Sequence, residues 1–165
     1  MRRHLVFGSI VMLAWATTVL AAEDDKRPTR AAGTVVSATL DGGLIKWEVD
    51  LGQEAGGKKA LEMTADVRAL YTEKDGVKQA LRIFRAGGRE FTPKEGQTLV
   101  TGKVTAAKVD GDTVLITVTP SAGEKPAALE LKLPTKVSVG YREGEGGKLA
   151  LWSIGVPRPP KAENK

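Results

Sequence analysis

The sequence repeats itself, and the repeat preserves an alternation of apolar and polar residues. Residues 33–51 align with residues 102–120 at an offset of 69 with six identities, and residues 61–84 align with residues 131–154 at an offset of 70 with eight. The offset changes only between the two aligned segments, in a stretch rich in Gly, Ala, Lys and Glu where a surface loop tolerates a length change. Self-similarity of this kind predicts one structural unit present twice.

The alternation inside each copy predicts β-strands. Every second residue is apolar from Ile45 to Leu51, and the same is true from Leu61 to Tyr71. A period of two residues is typical of a strand with one face buried. Because a shift of one residue would turn every side chain to the opposite face, a phase that both copies keep predicts the same fold for both.

Glycine-containing turns separate the predicted strands. Asp41-Gly42-Gly43 and Asp110-Gly111-Asp112 supply residues that adopt positive φ in tight hairpins, and Lys74-Asp75-Gly76 and residues 144–147 do so for a second hairpin in each copy. No segment has a convincing helical period, although residues 78–85 are ambiguous. We therefore predict an all-β protein of two tandem small OB-like or SH3-like barrels, or one barrel-like sandwich that both copies form together.

The repeat also sets the predicted segment boundaries. The second copy is predicted to be truncated, because the sequence soon after Ile154 is rich in proline, which cannot join a central strand. The first copy instead continues through a turn into Leu99–Val104, a strand that the two copies would share. The predicted segments are a flexible N-terminal segment at residues 23–32, repeat 1 at residues 33–101, truncated repeat 2 at residues 102–156 and a Pro-rich charged tail at residues 157–165.

Residues 1–22 have the pattern of a secretory signal peptide. Arg2 and Arg3 precede an apolar stretch from Leu5 to Leu20, and small residues at Ala21 and Ala22 then offer a cleavage site. We predict cleavage near Ala21 or Ala22, export to the periplasm or the exterior, and no membrane span in the mature chain. The alternative is an uncleaved N-terminal anchor.

The composition excludes most common catalytic chemistry. The chain has no cysteine, and its one histidine lies in the predicted signal peptide, so the mature protein cannot build a Ser-His-Asp or Cys-His site. The usual zinc and copper ligands are missing as well. We predict no catalytic residues, no metal site, no cofactor and no enzymatic activity. A carboxylate-based hydrolase remains the alternative, and it would need two acids roughly 5–10 Å apart.

Basic residues are the remaining candidates for a site. The chain carries 25 Lys and Arg against 20 Asp and Glu, and an exported basic barrel could bind an anionic envelope polymer by electrostatic attraction. The candidate basic rim of the first copy comprises Lys58, Lys59, Arg82, Arg85, Arg89 and Lys94. Nucleic acid is not expected, because base stacking needs exposed aromatic side chains, and Trp47, Tyr71 and Tyr141 fall on core phases.

A family resemblance rests on four segments of the sequence. They are Gly33-Thr-Val-Val-Ser-Ala, the turn at Asp41, the predicted strand Leu61–Tyr71 and Pro93-Lys-Glu-Gly-Gln-Thr-Leu-Val. They are similar to small OB-like β-barrel domains of unknown function in exported bacterial proteins, here as a tandem duplicate. The resemblance implies a fold class and no catalytic residue. We accordingly expect an exported non-enzymatic binding or assembly module of the envelope or periplasm, whose partner would be an envelope protein or an anionic envelope polymer.

Overall fold

The computed structural model describes residues 27–88, 90–122 and 127–158, so the predicted signal peptide lies outside the described residues. The described chain is all-β, as predicted, with two single 3-10 turns at Gln53–Ala55 and Glu145–Gly147. The strands are β1 (Thr29–Asp41), β2 (Leu44–Asp50), β3 (Lys58–Thr64), β4 (Asp66–Lys74), β5 (Val77–Arg85), β6 (Thr98–Asp110), β7 (Thr113–Pro120), β8 (Leu129–Pro134), β9 (Lys136–Glu143) and β10 (Leu149–Gly155).

The tight turns have the predicted chemistry. Gly42 and Gly43 between β1 and β2 have φ of 56° and 85°, and Gly111 between β6 and β7 has φ of 58°. The turn between β4 and β5 places Asp75 and Gly76 at φ of 52° and 75°, a pair of positive values that fits the right-handed twist of a hairpin. The ambiguous segment at residues 78–85 is part of strand β5.

Five strands close into a barrel, which we call the first barrel. β1 pairs with β2 and with β9, β2 pairs with β3, and β10 pairs with β9 in antiparallel fashion and with β3 in parallel fashion. The other five strands repeat this order as β6, β7, β8, β5 and β4, and we call them the second barrel. Its last link is one parallel bridge between Gln79 and Lys132. The predicted OB-like barrel architecture is thus confirmed.

Each barrel takes strands from both halves of the chain. The first barrel combines β1–β3 with β9 and β10, and the second combines β6–β8 with β4 and β5. The reason lies in the connections: β3 and β4 are separated only by Ala65, and β8 and β9 only by Thr135. A tight reversal needs about two loop residues, so the chain runs straight on and enters the neighbouring barrel.

Backbone hydrogen bonds fix Ala65 and Thr135, the two residues at which the chain passes from one barrel to the other. The Val35 amide donates to the Thr135 carbonyl at 2.8 Å, and the Val104 amide donates to the Ala65 carbonyl at the same distance. Each crossing residue therefore binds the long first strand of a barrel, β1 or β6. The two β-hairpins, β4–β5 and β9–β10, are in effect exchanged between the barrels.

The strand bounds differ from the predicted segments at both ends of the first copy. β1 begins at Thr29 and pairs with β9 through Thr34, so residues 29–32 are strand rather than flexible chain. Their sequence, rich in Ala and Thr, lacks the alternation that would have marked a strand. β6 begins at Thr98, before the predicted boundary at residue 102. Residues 99–104 therefore belong to β6, the first strand of the second copy. This copy has five strands, β6 to β10, as the first copy has β1 to β5.

Strand β10 is shifted by one residue relative to its counterpart β5, compared with the sequence alignment of the two copies. Tyr71 pairs with Ala80 in the β4–β5 hairpin, whereas Tyr141 pairs with Leu151 in the β9–β10 hairpin. The turn after Gly144 is longer than the turn at Asp75, which shifts β10 relative to β5. Ala80 thus corresponds in position to Leu151, and not to Ala150 as the sequence alignment has it.

The buried side chains of both barrels lie on the same side of the sheet where the barrels meet. Ile83 of β5 pairs directly with Ile154 of β10, and both side chains are fully buried in one continuous core. Residues that face each other across antiparallel strands point to the same face. The opposite face of this junction carries Arg82, Phe84 and Ser153, and it is not covered by either barrel.

Candidate functional site

A groove of about 1660 Å³ runs along this outer face at the junction of the barrels. Side chains of β4, β5, β9 and β10 line it, together with residues next to both ends of the described chain. Among its described lining residues the only acid is Glu90. The basic ones are Arg27, Arg30, Arg68, Arg82, Arg85, Lys94, Arg142 and Arg158. A concave surface lined by charges of one sign concentrates ions of the opposite sign, so this groove attracts anions.

The groove contains half of the predicted basic rim. Arg82, Arg85 and Lys94 line it. Lys58 and Lys59 lie on β3 and are not part of its lining; the Lys58 ammonium is 3.6 Å from a Glu48 carboxylate oxygen. The sixth residue of the rim, Arg89, lies outside the described residues.

Trp152 lines the groove at a bulge in β10. Tyr141 pairs with Leu151 and Gly140 pairs with Ser153, which leaves Trp152 unpaired between them. An extra residue in a strand interrupts the alternation of side chains between the two faces of the sheet. Trp152 and Ser153, although adjacent in sequence, consequently both face the groove, whereas Leu151 and Ile154 on either side of them are buried.

Two guanidinium groups lie over the Trp152 ring. The central carbon of the Arg142 guanidinium is 4.2 Å from the ring centroid, and that of Arg85 is 5.3 Å away. Contacts of this length are cation–π interactions, which hold an arginine in place without neutralising it. The Arg142 Nε itself is buried and has no hydrogen-bond partner.

The segment between β5 and β6 forms one wall of the groove. Phe91 packs on Phe84 of β5 with ring centroids 5.8 Å apart. The Lys94 amide donates to the Gln97 side-chain oxygen at 3.1 Å, and the Gln97 amide donates to the Lys94 carbonyl at 3.0 Å. These contacts close a turn that places the Lys94 side chain along the groove.

Sequence patterns did not indicate Arg142, Trp152, Arg30 or Arg68 as a group. Arg142 stands out only as one of many basic residues scattered through the second half of the chain. Arg68 lies on β4, the hairpin partner of β5. Arg30, Arg142 and Trp152 reach Arg82 and Arg85 because hairpin exchange brings β10, with β9 and β1 next to it, beside β5. No spacing within one copy could show that neighbourhood.

The fold and the groove together define an all-β barrel protein with a basic groove at the barrel junction. Comparisons with protein-family models, curated proteins and solved structures gave no match. The described residues contain no group of three or more His, Cys, Asp or Glu that could hold a metal ion. In the same part of the chain, no helix has the length and apolar character to cross a membrane.

Proposed function

We propose that this protein is an exported, non-enzymatic binding module of the cell envelope that holds an anionic polymer in its junction groove. The observation that carries the proposal is the charge of the lining, with eight basic side chains and one acid among the described residues. Arginine dominates this set, and its planar fork matches the oxygens of carboxylate, phosphate and sulfate groups.

The size of the groove supports an extended ligand. Sites for small molecules enclose roughly 300–1,000 Å³, and this groove measures about 1660 Å³. Its lining also draws on distant parts of the chain, from Lys94 before β6 to Arg158 near the end of the described chain. A polymer with repeated negative charges fits such a surface better than one compact metabolite.

The groove offers less to a nucleic acid than to a polymer without bases. Single-stranded nucleic acids bind by stacking bases on exposed aromatic faces. Here the Arg142 guanidinium lies over the Trp152 ring at 4.2 Å, and Phe91 packs on Phe84. The proposal of an envelope polymer rests in addition on the predicted export of the chain.

Binding is favoured over hydrolysis by the same lining. A carboxylate-based glycosidase needs two acids on either side of the scissile bond. Glu90 is the one acid among the described lining residues, and it is exposed. We therefore assign the groove a role in holding its ligand and give none of its residues a catalytic role.

The proposal predicts salt-sensitive binding of long-chain polyphosphate or polygalacturonate. Titration should change the fluorescence of Trp152, while Trp47, which is only 1% exposed, should not respond. Replacing both Arg85 and Arg142 by Gln should weaken binding by about tenfold or more, since a hydrogen bond to a charged group is worth about 1.5–3 kcal/mol. Raising the salt from low to high concentration should weaken it further.

The matched control replaces Lys58 and Lys59 by Gln, which removes the same charge from β3 outside the groove. Its affinity should stay within about threefold of the wild type, because exposed charges a Debye length or more away are screened. Equal losses in the two double variants, or affinity that ignores salt, would contradict a localised site. Tighter binding of single-stranded DNA than of both polymers would replace the envelope polymer by a nucleic acid.

A further inference from the structure

A cleft of about 270 Å³ adjoins the groove and shares Arg30, Arg82, Ser153 and Arg158 with it. Small residues of β9 and β10 form its floor: Ser138, Gly140 and Ser153, of which Gly140 and Ser153 are directly paired. Arg30 is the partner of Gly140 on the other side, on β1. The cleft is thus bounded by three adjacent strands and presents two hydroxyl groups at its base.

Three guanidinium groups converge on the cleft. Arg30, Arg82 and Arg158 all line it, and its described lining includes no Asp or Glu. Burial, and then the charges of Arg158 and Arg30, hold the pKa of Arg82 below its ordinary value. The three cations therefore repel one another at close range, and an anion seated between them would relieve that repulsion.

Gly140 keeps the floor of the cleft open. A β-carbon at this position would lie 3.0 Å from the Ser153 hydroxyl oxygen, which is tighter than an ordinary van der Waals contact. The corresponding position of the first copy, at the offset of 70, is Leu70, which is a buried side chain. The floor of small residues is therefore specific to the β9–β10 half of the junction.

We propose that the cleft of Arg30, Arg82 and Arg158 is a subsite for a tetrahedral oxyanion, the phosphate monoester or sulfate ester group of a ligand. The inference rests on the proposed function and specifies which chemical group the groove recognises. Three arginine forks and two hydroxyls supply more donors, from more directions, than the two oxygens of a carboxylate can accept. A phosphate or sulfate ester has three terminal oxygens to share among them.

The test is an NMR titration of the whole protein with inorganic phosphate, sulfate and acetate at matched ionic strength. Phosphate and sulfate should produce saturable shifts at the Gly140 and Ser153 amides and at the Arg82 Nε–H. Acetate should bind at least about tenfold more weakly. Equal shifts with all three anions would show a diffuse positive field and overturn the proposal, as would the absence of saturation.

Two variants separate a shaped subsite from charge alone. Arg82→Gln should weaken phosphate binding by about tenfold or more. Gly140→Ala, which leaves the charge unchanged, should also weaken it by narrowing the floor. Phosphate binding unaffected by both variants would place the anion elsewhere and overturn the proposal.

The Arg142→Gln variant distinguishes failure of the subsite from failure of the proposed function. Arg142 lines the groove but not the cleft, so this variant should reduce polygalacturonate affinity while leaving phosphate binding at the cleft within about twofold. Loss of the polymer response with retained phosphate shifts would refute the polymer function and keep the subsite. Retained polymer binding without phosphate shifts would refute the subsite alone.

Discussion

Breaking the chain between β5 and β6 is expected to give two fragments that do not fold as monomers and that restore the native protein when mixed. Each fragment retains three strands of one barrel and two strands of the other. A barrel short of two of its five strands exposes its core, and small domains have little stability to spare. If each copy folded independently, the same break would leave two folded fragments.

Circular dichroism and gel filtration with light scattering would measure this effect. Each fragment alone should be unfolded or associated with itself, and an equimolar mixture should regain the native spectrum at the mass of the whole chain. As a control, a protease site placed in the same segment allows the folded protein to be cut afterwards. The two pieces should then stay together until denaturant is added, and a folded monomeric fragment would contradict the exchanged topology.

Replacing Gly102 by Ala is expected to destabilise the protein by about 3 kcal/mol. A β-carbon there would lie 2.3 Å from the Thr119 carbonyl oxygen, a backbone atom that cannot move away as a side chain could. β6 changes its partner at this point, because it pairs with β4 up to Lys103 and with β7 from Gly102 onwards. Crowding at the bend would therefore disturb the second barrel on both sides.

Urea unfolding monitored by Trp47 fluorescence would give the loss of stability. Thr101→Ala on the same strand is the matched control, and because Thr101 is exposed its cost should stay below about 1 kcal/mol. Gly33→Ala tests the equivalent bend of β1, where a β-carbon would lie 2.7 Å from the Asp50 carbonyl oxygen. If the Gly102→Ala and Thr101→Ala proteins had the same free energy of unfolding, the bend would tolerate a side chain and this prediction would be wrong.

The sequence predicts which residues form strands and which face they bury, but not which strands become neighbours. The alternation from Leu61 to Tyr71 looks like one strand, because Ala65 continues the pattern without a turn. The structure divides this segment into β3 of the first barrel and β4 of the second. Periodicity records the buried face of each residue, and that face does not change when the chain crosses from one core to the next.

The candidate site was only partly predictable for the same reason. Arg82 and Arg85 were identified from the local density of basic residues in the first copy. Arg142 and Trp152 join them through the contact of β10 with β5, and the bulge that places Ser153 on the same face as Trp152 has no glycine or proline to mark it. Charge can be counted along a sequence, whereas a groove depends on the pairing of distant strands.

The order in which the strands are made has a consequence for the newly synthesised polypeptide. Thr29 at the start of β1 pairs with Tyr141 on β9, so the first barrel stays open until β9 and β10 have left the ribosome. Contacts so distant in sequence also form slowly. A chain that folds late in this way stays extended for longer, as the predicted export across a membrane would require.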